Sequence, residues 1–316
     1  MAIKIAITTS TFAQEDATPL KVLKKNNVQW VLNPFGRVLE SQETINLLSD
    51  CHGVIAGSEI YNSQVLRRLP QVRVISRCGT GLDNVDLNAA CNYNVQVYNT
   101  PDSLTDAVAE LTMGLILNLL RKISLVDRRM HQGKWEKKMG CLIKDKLVGL
   151  IGYGRIGQAV GKICLSLGAK VVYYDPQVKN SSVRGIDYRD FNKILQTADI
   201  ISLHTSYNQK NHHLIGANEI HLMKEGGFLV NCSRGGLVDE QSLYEALKLK
   251  KLAGAALDVF ENEPYSGNLQ KLDNIILTPH IGAYAREARM HTEMEAVENL
   301  MNGLKNFKKK DKTLCK

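Results

Sequence analysis

Residues 146–160 read KLVGLIGYGRIGQAV, an apolar run that breaks at Gly152-Tyr153-Gly154-Arg155-Ile156-Gly157 and resumes in a helix-like pattern. Glycines at this spacing, between a strand and a helix, form a turn suited to phosphate. Gly152 permits the tight turn, Gly154 lets backbone approach a pyrophosphate, and Gly157 allows the helix to pack closely. The start of the helix offers unpaired amides to the anion. The next strand, KVVYY, ends in Asp175, 18 residues beyond Gly157. An acid there accepts hydrogen bonds from an adenosine ribose, and Pro-Gln-Val follow in place of an arginine, so the reading is NAD rather than NADP. A glycine-rich turn alone is weak support, and the bland reading of Asp175 is a turn cap.

Further strands extend the pattern: DIISL ends before His204, GFLVN before Cys232-Ser233-Arg234, AGAAL before Asp258, and NIILT before Pro279-His280. In an open parallel sheet the ligand lies beyond the carboxyl ends of the strands. One histidine after a buried strand reads as a cap or a solvent-facing ring. Polar groups arriving together from separate strand ends read as a site. Upstream, IKIAI, VQWVL, GVIA and VRVIS alternate with helix-like segments, which predicts a second parallel sheet flanked by helices. The expected fold class is α/β, with two Rossmann-like doubly wound domains. An outer, flavodoxin-like substrate domain takes residues 1–99 and 284–316, and an NAD-binding domain takes 100–283. Two crossings of the boundary would make a hinge, with a cleft between the domains.

Hydrophobic residues at 44% and charged residues at 23% describe an ordinary globular protein long enough for two cores. The longest apolar stretch, residues 107–120, is interrupted by Glu110, Thr112 and Asn118 and is too short to span a bilayer, so it reads as a buried helix. The start, MAIKIAITTS, has no signal-peptide pattern, and the seven cysteines show no CxxC pair; a cytoplasmic protein with reduced thiols is expected, without membrane contact. Of the net charge of +8, residues 305–316 supply six lysines and one aspartate, read as a solvated tail rather than a nucleic-acid surface. No metal is expected, because the tandem His212-His213 would need further ligands.

At this point the chain resembles the D-isomer-specific 2-hydroxyacid dehydrogenases along nearly its whole length. The stretches that carry the resemblance are SRCGTGLDNVDL (76–87), NTPDSLTDAVAEL (99–111), VGLIGYGRIGQAV (148–160), NCSRGGLVDE (231–240), AALDVFENEP (255–264) and LTPHIGA (277–283). It is most similar to the phosphoglycerate dehydrogenase branch, a role in serine biosynthesis, and LTDAVAE also resembles glyoxylate and hydroxypyruvate reductases. The resemblance implies a catalytic set at Arg234, Glu263 and His280, with Glu263 preferred to Glu261 because it directly precedes the proline. It places NAD contacts at Thr80, Gly152, Gly154, Arg155, Ile156, Gly157, Asp175, His204, Thr205, Cys232, Ser233, Asp258 and Gly282. Substrate contacts fall on Arg77, Cys78, Gly79 and Gly81, with the Gly79–Gly81 amides suited to a carboxylate. A homodimer is implied, and the helix over 107–120 is the expected interface.

The chemistry agrees with the resemblance. A hydride leaving or reaching a carbinol carbon requires a proton to move at the oxygen, and an imidazole, with an ordinary pKa of about 6.5, can move it either way. A neighbouring carboxylate orients the ring, and a guanidinium fork can hold a keto acid by carboxylate and carbonyl. Departures bear on substrate. Ser206-Tyr207 stand where proline and leucine are usual, and GVIA is followed by Gly-Ser-Glu-Ile-Tyr rather than an arginine for phosphate, so Glu59 is expected to repel one. The chain closes soon after its last helix, so serine feedback is not expected. Two alternatives stand beside phosphoglycerate: hydroxypyruvate or glyoxylate reduction, and a non-catalytic NAD-sensing protein. Thiol reagents are expected to reach Cys78 and Cys232, with NAD protecting.

Overall fold

The computed structural model describes residues 3–101 and 103–313, with side chains as far as residue 306, so the side chains of the closing lysine run lie outside the described residues. The chain divides into two compact units, Met1–Leu104 with Ala283–Lys316, and Thr105–Gly282. The first crossing comes at 104/105 rather than 99/100, because Thr100 is tied into the first unit. Its hydroxyl accepts from the Gly79 amide at 2.8 Å, and its own amide donates to the Gly79 carbonyl at 3.1 Å.

In the first unit β1 (Ile3–Ile7), α1 (Thr18–Lys25), β2 (Val28–Leu32), α2 (Ser41–Leu48), β3 (Gly53–Ala56), α3 (Ser63–Arg67), β4 (Val74–Arg77), α4 (Leu87–Asn92) and β5 (Gln96–Tyr98) alternate. The sheet order is β2-β1-β3-β4-β5, and every pair is parallel. This is the flavodoxin-like order. Short polar residues start the helices: Asn62 accepts from the Val65 amide at 3.0 Å, and Asp86 from the Ala89 amide at 2.9 Å. Helices α2–α4 cover one face of the sheet through Leu48, Leu66 and Ala90, and the long helix Arg286–Thr313 covers the other through Ala296, Val297, Leu300 and Leu304.

The second unit begins with α5 (Thr105–Arg121) and α6 (Ile123–His131), followed by β6 (Leu147–Ile151), α7 (Arg155–Ser166), β7 (Lys170–Tyr174), β8 (Ile186–Tyr188), α8 (Phe191–Thr197), β9 (Ile200–Leu203), α9 (Ala217–Leu222), β10 (Gly227–Asn231), α10 (Glu240–Lys248), β11 (Leu252–Leu257) and β12 (Ile275–Leu277). All seven strands are parallel, in the order β12-β11-β10-β9-β6-β7-β8. Strand order reverses between β6 and β9, where a doubly wound sheet opens a crevice. The buried runs of β6, β9 and β11 reflect helices on both faces. Helix α5 is buried along most of its length and packs on α7, β10 and β11, so the apolar side chains expected to face a partner serve its own core. Among the described residues no helix is long and apolar enough to cross a membrane.

Candidate active site

At the carboxyl end of β6, Gly152 has φ +95°, and a Cβ there would overlap the His204 carbonyl. Only glycine fits. No protein atom lies within 4 Å of the Cβ position at Gly154, which caps α7, so its backbone faces open space at the helix start. A Cβ at Gly157 would run into the Gly152 carbonyl, which fixes the close approach of helix to turn. Arg155 and Ile156 occupy the first turn of α7, where amides have no intrahelical acceptor. Asp175, just past β7, folds back over this turn. One carboxylate oxygen accepts from the Tyr153 amide at 2.8 Å, the other from the Gln177 and Val178 amides at 2.8 and 3.1 Å. The turn-cap reading of Asp175 is what these bonds show, with the amides holding the carboxylate at the end of the turn. An open glycine backbone, a helix start and a fixed acid fit a dinucleotide.

His204 and Thr205 follow β9. Burial pushes the His204 ring down to about 4, so it is neutral near pH 7, and its Nε2 pairs with the buried Ser202 hydroxyl at 2.9 Å. After β10, Ser233 donates to the Leu203 carbonyl, lashing neighbouring strand ends together. Cys232 is buried, which pushes its thiol up to about 12. Arg234 donates to the Ser233 carbonyl at 2.7 Å, and its charge reaches Glu263.

The segments after β11 and β12 meet at Asp258. Its Oδ1 accepts from the Thr278 hydroxyl at 2.6 Å and the Ile281 amide at 2.8 Å, and its Oδ2 from the Gly282 amide at 2.8 Å. A Cβ at Gly282 would stand 3.1 Å from Oδ2, so glycine keeps that approach open. Between the anchored Thr278 and Ile281 sits His280 with φ +55°. Its Nδ1 lies 2.8 Å from Glu263 Oε2, and Glu263 Oε1 accepts from the Phe260 amide at 3.1 Å. Burial works to raise the Glu263 carboxyl, but the hydrogen bond and charge of His280, the Phe260 amide and Arg234 outweigh it and hold the pKa below the ordinary 4.5. Arg234, Glu263 and His280, distant in sequence, are thus electrostatic neighbours. The sequence reading passed over Thr278 and Ser202, whose hydroxyls position these groups; Thr278 lies inside LTPHIGA, two residues before the histidine.

The first unit corrects two expectations. The Gly79 amide is turned inward to Thr100, so it is not offered to a carboxylate, and Arg77 folds back to donate to the Cys78 carbonyl. Gly79 has φ +149°, and a Cβ there would collide with the Arg77 guanidinium. Thr80 donates to the Thr100 carbonyl at 3.4 Å, and Gly81 continues the same loop. Glu59 is 1% exposed, and its carboxylate is taken up by the Thr8 hydroxyl, the Gly57 amide at 3.0 Å and the Tyr61 hydroxyl at 2.7 Å. It presents no repelling charge at the surface.

Comparison with known proteins accords with this geometry. Residues 113–282 match the model described as "D-isomer specific 2-hydroxyacid dehydrogenase, NAD binding domain". A D-3-phosphoglycerate dehydrogenase of Archaeoglobus fulgidus is 38% identical over 276 residues, 85% of this chain, and the chain spans only about half (52%) of that relative. A glyoxylate reductase of Thermococcus litoralis is 36% identical over 280 residues, covering 85% of this chain and 83% of the relative. Among solved structures, the TT0316 protein from Thermus thermophilus superposes with a TM-score of 0.89 at 31% identity, over 96% of this chain and 97% of that one. The chain belongs to the D-isomer-specific 2-hydroxyacid dehydrogenase family, and its second unit is that family's NAD-binding domain.

Proposed function

We propose that the protein is an NAD-linked dehydrogenase that interconverts a small D-2-hydroxy acid and its 2-keto acid. The observation that carries this reading is the His280–Glu263 pair, 2.8 Å apart, with the Arg234 charge acting on the same carboxylate. NAD, when bound, takes or gives the hydride. The Gly152–Gly157 turn and the α7 start hold its pyrophosphate and Asp175 its ribose, with Thr80, His204, Thr205, Cys232, Ser233, Asp258 and Gly282 as further contacts. His280 Nδ1 donates to Glu263, which leaves Nε2 to give a proton to the substrate oxygen in reduction and to take it back in oxidation. Glu263 fixes the tautomer and stabilises the imidazolium. Arg234 holds the keto acid through its carboxylate and carbonyl oxygens and polarises the carbonyl. Substrate contacts at Arg77, Cys78 and Gly81 belong to the same proposal, with Gly79 a shaping residue rather than an amide donor.

For substrate we propose 3-phosphoglycerate, a serine-biosynthetic role, supported by the phosphoglycerate dehydrogenase relative and by a Glu59 charge sequestered from solvent. The second reading, hydroxypyruvate or glyoxylate reduction, is favoured by the missing arginine after β3 and by the fuller coverage of the glyoxylate reductase. The proposal extends to a cytoplasmic homodimer, supported by the apolar surface after α5 (Ile123, Met130, Trp135, Met139 and Leu142), where Trp135 is 80% and Met139 89% exposed. The test is loss of NADH absorbance with 3-phosphohydroxypyruvate, hydroxypyruvate, glyoxylate and pyruvate in parallel. Turnover greatest on the phosphorylated acid, and about 10²–10⁴-fold lower in His280→Ala, is expected. Preference for an unphosphorylated acid selects the second reading. Tight NADH binding without turnover on any of the four replaces the enzyme with an NAD-sensing protein.

A further inference from the structure

The tandem histidines have no part in the chemistry above, yet the fold gives them a third partner 48 residues away. His213 Nε2 meets Glu261 Oε1, and ligand atoms of His212, His213 and Glu261 all lie within 4.8 Å of one another. The two rings stack with centroids 3.8 Å apart and planes inclined by 26°. Around a tetrahedral ion with bonds of about 2.0–2.1 Å, ligand atoms sit about 3.3 Å apart, within reach of small side-chain rotations. We propose that His212, His213 and Glu261 form a site for a divalent first-row transition-metal ion of the Zn2+ class, clipping the 206–213 loop to the turn that carries Glu263.

Three observations support a built site. The loop is organised without an ion: Asn208 and Asn211 close a capping box, the Asn211 side chain donates to the Ser206 carbonyl at 2.7 Å, and the His213 amide donates to the Gly236 carbonyl at 2.8 Å. One of the ligand side chains has an outer partner, the arrangement that orients metal ligands. The Tyr207 hydroxyl lies 3.3 Å from His212 Nδ1, which leaves Nε2 for the ion, and the Glu261 backbone is held by its amide donating to Glu240 Oε1 at 2.9 Å. Finally, His213, Asp239, Glu240 and Glu261 line one open cavity of about 420 Å³, and the three carboxylates there suit a cation. Two imidazoles and one carboxylate select a Zn2+-like ion over Mg2+ or Ca2+, and three protein ligands leave a position for water.

The experiment titrates the chelator-treated protein with Zn2+ by calorimetry and with Co2+ by visible absorption, in the absence of NAD. One ion per chain at micromolar affinity, with the intense d–d bands of a four-coordinate site, is expected. His212→Ala, His213→Ala and Glu261→Gln should each weaken binding at least about tenfold, while His280→Ala and His131→Ala leave it unchanged. Unaltered binding in the His212→Ala/His213→Ala double variant overturns the site, as does absence of binding by the native chain. Glu261→Gln keeps the carboxylate's shape and carries the test alone if the histidine variants misfold. A loss of binding in His280→Ala would assign the ion to the catalytic pair instead.

Discussion

At Glu263 a carboxylate is held between two donors, the Phe260 amide and the His280 ring, and its neutral analogue keeps the shape but loses the charge. Glu263→Gln is therefore expected to lower kcat for keto-acid reduction by about 10²-fold, with a smaller change in KM, because the lost interaction is with the imidazolium that forms along the reaction. Steady-state kinetics over a pH series checks this, and an unchanged profile removes Glu263 from the role. The same group links stability to pH. Its folded pKa is lowered, so its contribution is present above the ordinary 4.5 and is lost as pH falls through the lowered value. Acid unfolding of the native chain and Glu263→Gln should accordingly converge below pH 4.5. His280 adds a backbone cost, since a non-glycine residue at φ +55° is unfavourable by about 1–2 kcal/mol. The bonds of Asp258 to Thr278, Ile281 and Gly282 hold the segment in that shape.

Elements placed these residues, and most elements could be read in advance. Strands ending at Ile151, Tyr174, Leu203, Asn231, Leu257 and Leu277 are apolar runs stopped by a polar or glycine residue, so the sequence marked the sheet and the line of site residues beyond it. The strands β5 and β8 were not legible, because Gln96–Tyr98 and Ile186–Tyr188 mix polar and apolar residues over only three positions, whereas the equally short β12 is an unbroken Ile-Ile-Leu run. Pairings across sequence were equally hidden: nothing in the spacing shows that Thr100 takes the Gly79 amide or that Glu261 meets His213. The helix α7 gives the prediction at this scale. Gly157→Ala inserts a methyl into the Gly152 carbonyl, so the helix start must move away from the turn. NADH affinity is expected to fall by at least about tenfold, with a stability loss of about 1–3 kcal/mol. Fluorescence titration and denaturant unfolding read the two effects separately, and native affinity in this variant would mean the turn tolerates a displaced helix.

Across the molecule, four of the thiols behave as packing groups. Burial pushes Cys51 and Cys78 up to about 11, and Cys164 and Cys232 up to about 12, whereas Cys91 is exposed. This overturns the expectation that reagents attack beside the site, since the thiolate is the nucleophile. Iodoacetamide at about pH 8, near the ordinary thiol pKa, should label Cys91 ahead of Cys78 and Cys232, with activity retained and no dependence on NAD. Mass spectrometry of the labelled peptides decides. A different consequence follows from how the first unit is completed. Its face of Ile5, Ile7, Ile55 and Val74 is covered by Ala296, Val297, Leu300 and Leu304, and Ser76 donates to the Ala296 carbonyl at 2.8 Å. The whole second unit lies between β5 and those partners in the chain. At about 5–20 residues per second a ribosome takes roughly 10–40 s to make that stretch of about 200 residues. During that interval the apolar side of the first sheet has only α1 and its neighbours, through Phe12, Leu20 and Leu23, to cover it, while the second unit emerges with its own strands and helices complete. The first unit thus begins to fold before the second and is completed after it.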